Sequence, residues 1–154
     1  MNRQNLFADS PWDSEEHGPE TGLRHRTFWR PDTARMGATL WDLCPGASGM
    51  RWHMHYPGEE MFFVVSGRPV FRTPAGEEEL APGDFVFCPE GRAGLHAYGN
   101  PHDQPARVLG IAWGTFPDVV AYPEHGYAWV ATRDPDLPAG DDPGIIQRFD
   151  FGLE

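Results

Sequence analysis

Residues 53–67 read HMHYPGEEMFFVVSG, and residues 83–100 read GDFVFCPEGRAGLHAYGN. Within them His53 and His55 are two positions apart, an acidic pair Glu59–Glu60 follows, and His96 stands alone further on. Residues i and i+2 face the same way on a β-strand, so His53 and His55 offer two imidazoles side by side. With a carboxylate and a third imidazole, the set is three neutral nitrogens and one anionic oxygen. That suits one divalent transition metal without thiolate: Fe, Mn, Ni, Co or Zn. Four such ligands leave coordination positions open, and open positions distinguish a reactive site from a closed structural one.

Rigid elements must carry these ligands. Gly and Pro punctuate the chain into short apolar runs, predicting strands over 25–30, 37–44, 49–55, 59–66, 68–73, 76–80, 85–88, 94–99 and 106–115, and a weak one over 127–132. Tyr56-Pro57-Gly58 reads as a tight turn, after which Glu60 opens the next antiparallel strand. Glu60, Phe62 and Val64 share one face of that strand. Glu59 falls on the other, as a solvated or supporting carboxylate. From 116 onward the chain reads as loop-rich, apart from the weak strand at 127–132. The division is a mobile N-terminal arm (1–24), a barrel (25–133) and a loop-rich C-terminal extension (134–154). Leu6 and Trp12 of the arm are free to dock, a neighbouring subunit included. Many short strands without a helical pattern make the chain all-β, a sandwich or barrel.

Composition narrows the function. The net charge is −11 and all twelve basic residues are Arg. Phosphate-backbone and anionic-membrane binding are disfavoured, and without Lys there is no Schiff-base or Walker-type chemistry. No helix-turn-helix pattern or basic patch suggests a nucleic-acid partner. Cys44 and Cys88 form no CxxC pair, the start has no apolar leader, and the longest large-apolar run, Met61–Val65, is too short to span a bilayer. A cytoplasmic protein is expected.

The segment His53-x-His55-x4-Glu60-x6-Gly67 resembles the first motif of the cupin superfamily. Gly83-x5-Pro89-x-Gly91-x4-His96-x3-Asn100 resembles the second, with 68–82 between them as in small single-domain microbial cupins of the cupin 2 conserved-barrel type. There are two departures. Ala47 stands where the first motif usually has a glycine, and the gap from Gly91 to His96 is two residues longer than the common form. The resemblance implies a double-stranded β-helix, or jelly-roll β-barrel, with His53, His55, Glu60 and His96 on one metal ion. It also implies a homodimer, joined through the outer face of a sheet or the arm.

A metal-dependent enzyme on a small organic molecule follows, with dioxygenase-like oxidation favoured over isomerase or lyase chemistry. The alternative is a non-catalytic metal-containing cupin that binds or senses a small ligand. Arg51, two residues before His53, would anchor a substrate carboxylate or phosphate, although an exposed salt bridge is the plainer reading. Tyr98 shares parity with His96 and is the acid–base candidate. Phe62, Val64 and Trp113 are candidate walls, and Cys88 reads as a buried inert thiol near the site. His17, His25, His102 and His125 read as surface residues.

Overall fold

The computed structural model describes residues 3–16, 22–29, 35–132 and 145–151. Its strands are β1 (Ser14–Glu16), β2 (Leu23–Trp29), β3 (Met36–Leu43), β4 (Ala47–Ser66), β5 (Val70–Thr73), β6 (Gly76–Glu79), β7 (Phe85–Cys88), β8 (His96–Asn100), β9 (Ala106–Tyr122), β10 (Tyr127–Thr132) and β11 (Ile145–Asp150). Two single-turn 3₁₀ segments, Gly91–Gly94 and Pro123–His125, are the only helical elements among the described residues. No helix there is long and apolar enough to cross a membrane. The strands order as β1-β2-β3-β9-β4-β8-β5-β6, with β7 on β4, and β10 joining β9 to β11. This is the expected all-β jelly-roll barrel.

Two expectations are corrected. The turn at Tyr56-Pro57-Gly58 does not reverse the chain: β4 runs through it as one strand, paired with β9 on both sides of the turn, from Met54 to Ser66. Nor does the chain become loop at 116, because β9 continues to Tyr122 and Ile145–Asp150 pairs with β10. Proline usually interrupts a ladder because it lacks the N–H donor. Here Pro57 and Pro117 both fall in the register shift between Tyr56 and Gly58, where no ladder bond is asked of them. His17 and residues 133–144 lie outside the described residues.

The core gathers the inward row of each strand. Phe62, Phe71 and Tyr98 meet with ring centroids 4.9–5.4 Å apart, packed with Leu43, Val64 and Val108. Each such side chain contributes about 1.5–3 kcal/mol of burial. Two glycines permit close strand crossings. A Cβ on Gly49 (φ +75°) would stand 1.9 Å from the Tyr98 carbonyl oxygen, and one on Gly67 (φ +78°) 2.5 Å from the Ala106 Cα.

Candidate metal centre

A strand alternates its faces, so His53 and His55, at odd positions, should oppose Glu60 at an even one. The register shift between Tyr56 and Gly58 removes that conflict by moving the strand one step out of phase. Both histidines and Glu60 therefore face the barrel interior. His96 enters from β8, where it pairs directly with His53. The two extra residues after Gly91 are taken up by the 3₁₀ turn Gly91–Gly94. Gly94 allows that turn, since a Cβ there would lie 1.6 Å from the Pro89 carbonyl oxygen.

The four groups converge. Glu60 Oε2 lies 3.1 Å from His96 Nε2, 3.3 Å from His55 Nε2 and 3.9 Å from His53 Nε2. Yet Glu60 Oε2, His55 Nε2 and His96 Nε2 are buried and make no hydrogen bond of acceptable geometry. They are crowded together without bonding one another. Buried polar atoms without partners are costly, and a cation placed among them would satisfy them together. His53, Glu60 and His96 offer ligand atoms all within 4.8 Å of one another.

The far side of each ring is fixed in the same sense. His53 Nδ1 donates to the Arg51 carbonyl at 2.7 Å, and His96 Nδ1 to the Gly94 carbonyl at 2.9 Å. His55 Nδ1 sits 3.1 and 3.2 Å from the two Asp118 carboxylate oxygens. An oxygen that can only accept holds the proton on Nδ1, which leaves Nε2 as the donor atom toward a metal. The residues present therefore fit a metal ion.

The titration behaviour of the ion-free cluster follows from burial and pairing. Burial takes His53 down to about 3, with the neighbouring His96 adding to the effect. For His55 burial pulls the same way, but Asp118 and Glu60 outweigh it and raise the ring to about 10. His96 rises to about 9, since Cys88 and Glu60 overcome its burial. Glu60 is desolvated too, and His55 and His96 still hold it well below the usual carboxylate range. Strand pairing sets Cys88 opposite Glu60, and its thiol is buried.

A cavity of about 240 Å³ opens beside the cluster, bordered by His55, Glu60 and Asp118 at one end. Its room comes from residues that lack bulk on the inward rows: Gly37 and Ala112 level with Glu60, and Gly110 level with Phe62. A Cβ on Gly110 would stand 3.2 Å from the Phe62 ring and 3.3 Å from Trp41 Nε1.

Arg51 and Tyr98 do not border this cavity. Arg51 is exposed, and its guanidinium reaches the Tyr127 hydroxyl at 3.4 Å. Its contribution to the cluster is its backbone carbonyl. Tyr98 is 3 % exposed among core aromatics, and burial raises its hydroxyl well above the ordinary range. Phe62 and Val64 are core as well, whereas Trp113 and Glu59 do border the cavity. His25 is half-buried against Trp41, His102 pairs with Glu79 at 2.7 Å, and His125 is exposed. Sequence reasoning missed Asp118: an acid in an otherwise apolar strand was its one signal.

Comparison with known proteins agrees with this geometry. The family model described as "Cupin domain" matches residues 39–112. A provisionally named sugar phosphate isomerase of Acidithiobacillus ferrooxidans aligns at 25% identity and TM-score 0.62, covering 80% of this chain and 77% of that one. A sugar phosphate isomerase of Silicibacter pomeroyi, itself described as from a cupin superfamily, aligns at 27% and 0.59, covering 75% and 68%. A chain from a structural study of DMSP lyases aligns at 28% and 0.52, covering 60% of this chain and 48% of its own. No curated protein matches.

Proposed function

The chain belongs to the cupin superfamily, and from that premise we propose that it is a metal-dependent enzyme isomerising or cleaving a small polar organic molecule. One observation carries the reading: four metal-type donor atoms, three of them buried without partners, converge at the end of a cavity sized for a metabolite. The dioxygenase preference drawn from the sequence finds no support among the relatives, whose names point to isomerisation and elimination.

His53, His55 and His96 through Nε2, with Glu60 through a carboxylate oxygen, would hold one divalent ion, which supplies Lewis acidity toward a substrate oxygen. The chain's own groups supply the rest. The Arg51 and Gly94 carbonyls and the Asp118 carboxylate keep the Nδ1 protons in place and fix the rings. Glu59 borders the cavity and makes no ion pair among the described residues, so its carboxylate is available to take and return a proton. Trp113 and Phe116 cover part of the cavity wall and limit water there.

The test is elemental analysis of protein purified without chelators or an affinity metal, followed by isomerase and lyase assays with and without air. Stoichiometric metal, lost in His53→Ala while the β domain stays folded, supports the reading. Absence of metal overturns it, and turnover coupled to oxygen uptake restores the oxidative alternative. A non-catalytic sensor is disfavoured because the cavity reaches the cluster instead of leaving it sealed under aromatic rings. A homodimer belongs to the proposal too. Trp12 packs within its own chain, against Arg24, Arg26 and Arg107, which leaves the outer sheet face for a second copy.

A further inference from the structure

Arg35 is the one arginine bordering the cavity, and its side chain makes no ion pair or hydrogen bond among the described residues. Other arginines are committed: Arg24 and Arg107 to Asp42, Arg72 to Glu124, Arg68 to Glu79. The backbone of Arg35 is fixed, because Gly114 N–H donates to its carbonyl at 2.8 Å. Arg35 also shares parity with Gly37, Thr39 and Trp41, all of which border the cavity. Met36 borders it too, and Arg35 is exposed just ahead of β3, so the arginine stands at the open edge of the cavity.

Pairing gives the span. Gly114 lies between Arg35 on one side and Gly58 on the other, so Arg35 and β4 are two strand spacings apart, about 10 Å. Glu60 is two residues further along β4. A molecule of a few carbons bridges that distance, with one end at the imidazole–carboxylate cluster and the other at Arg35. Of the acids bordering the cavity, Glu60 faces the imidazoles and Asp118 holds His55, while Glu59, the proposed base, makes no ion pair among the described residues. In a chain of net charge −11, an anionic ligand needs a dedicated cation. The uncommitted indole N–H of Trp41 and the Thr39 hydroxyl add neutral donors between the two ends.

We propose that Arg35 sets the substrate class: a small oxygen-rich molecule carrying an oxyanion group, phosphate monoester or carboxylate, at the end remote from the metal cluster. This rests on the enzyme reading above. Arg35 is then a specificity-determining residue, and its planar fork matches both groups.

Three probes with a common polyol, glycerol 3-phosphate, glycerate and glycerol, are titrated calorimetrically into the full chain purified without chelators. The same titrations are run on Arg35→Gln and Arg35→Lys, with metal content and thermal midpoint recorded for each. At least one anionic probe should bind about ten-fold or more tighter than glycerol. That preference should vanish in Arg35→Gln and fall partway in Arg35→Lys, with metal content and midpoint unchanged. The better anion assigns phosphate or carboxylate. Equal anion binding by wild type and Arg35→Gln, or glycerol binding as tightly as either anion, overturns the proposal. If the chain proves metal-free, the enzyme reading fails by that measurement. The Arg35-dependent preference is then read on the same material, where its presence supports the anion site and its absence overturns it.

Discussion

At the residue level the central fact is that Glu60 Oε2 is buried and accepts nothing at good geometry while facing three imidazole nitrogens. Glu60→Gln should therefore lose metal stoichiometry, while Glu59→Gln keeps the metal and loses turnover. Equal metal loss in both would overturn the assignment of Glu60 as the ligand. Asp118→Asn keeps the shape but leaves the His55 ring less well oriented. Metal affinity should fall about 10–100-fold, measured by competition with a chromogenic chelator. Stability of the metal-free chain should follow pH in a defined way. His55 and His96 bind protons more tightly when folded, so their stabilisation is complete below 6.5 and is lost as pH rises toward about 9 and 10. His53 is the reverse: its contribution is present above 6.5 and lost as pH falls toward about 3. The thermal midpoint in chelator should peak near pH 6.5, and a monotonic rise to pH 9 would contradict the pairing. The four candidate ligands could be picked out in the sequence because type and spacing are local properties. Asp118 was not, because it meets His55 across 63 positions of sequence and depends on the β4–β9 register.

At the level of the strand, β4 supplies three of the four donors and pairs with β7, β8 and β9. Its out-of-phase step explains why parity worked locally and failed across the motif. Parity separates Glu60 from Glu59 within 59–66, but a Tyr-Pro-Gly sequence reads as a reversal unless the partner strand is known. The partner absorbs the irregularity, with residues 115–118 standing opposite the single Pro57. Crossing points are equally specific. Gly46 has φ +72° and open space, with nothing within 4 Å of where an added methyl would stand, whereas Gly49 is blocked by backbone. Gly46→Ala should cost about 1–2 kcal/mol from the left-handed backbone alone. Gly49→Ala should cost clearly more or prevent folding. Urea midpoints of the two variants check the ranking, and equal costs would show that the β4–β8 crossing is not tight.

Across the whole molecule, the charged and apolar surfaces divide the work. Phe85 and Phe87 are 62 % and 60 % exposed, beside Met61 on the neighbouring strand. Exposed aromatics grouped in this way are where the proposed second copy would dock. Light scattering should give a dimer mass for the wild type and a monomer mass for Phe85→Ser/Phe87→Ser; a monomeric wild type would remove the second copy from the proposal. The N-terminal segment is held by other means. Arg26, 9 % exposed, donates to the backbone carbonyls of Leu6, Ala8 and Ser10, while Trp12 and Asp13 are held through their side chains, Asp13 by the Thr27 N–H. Every residue has a carbonyl, so this clasp is indifferent to spelling. Residues 6–10 are thus free to drift over evolutionary time, or to be rewritten as an epitope, while the segment stays in place for as long as Arg26, Trp12 and Asp13 remain.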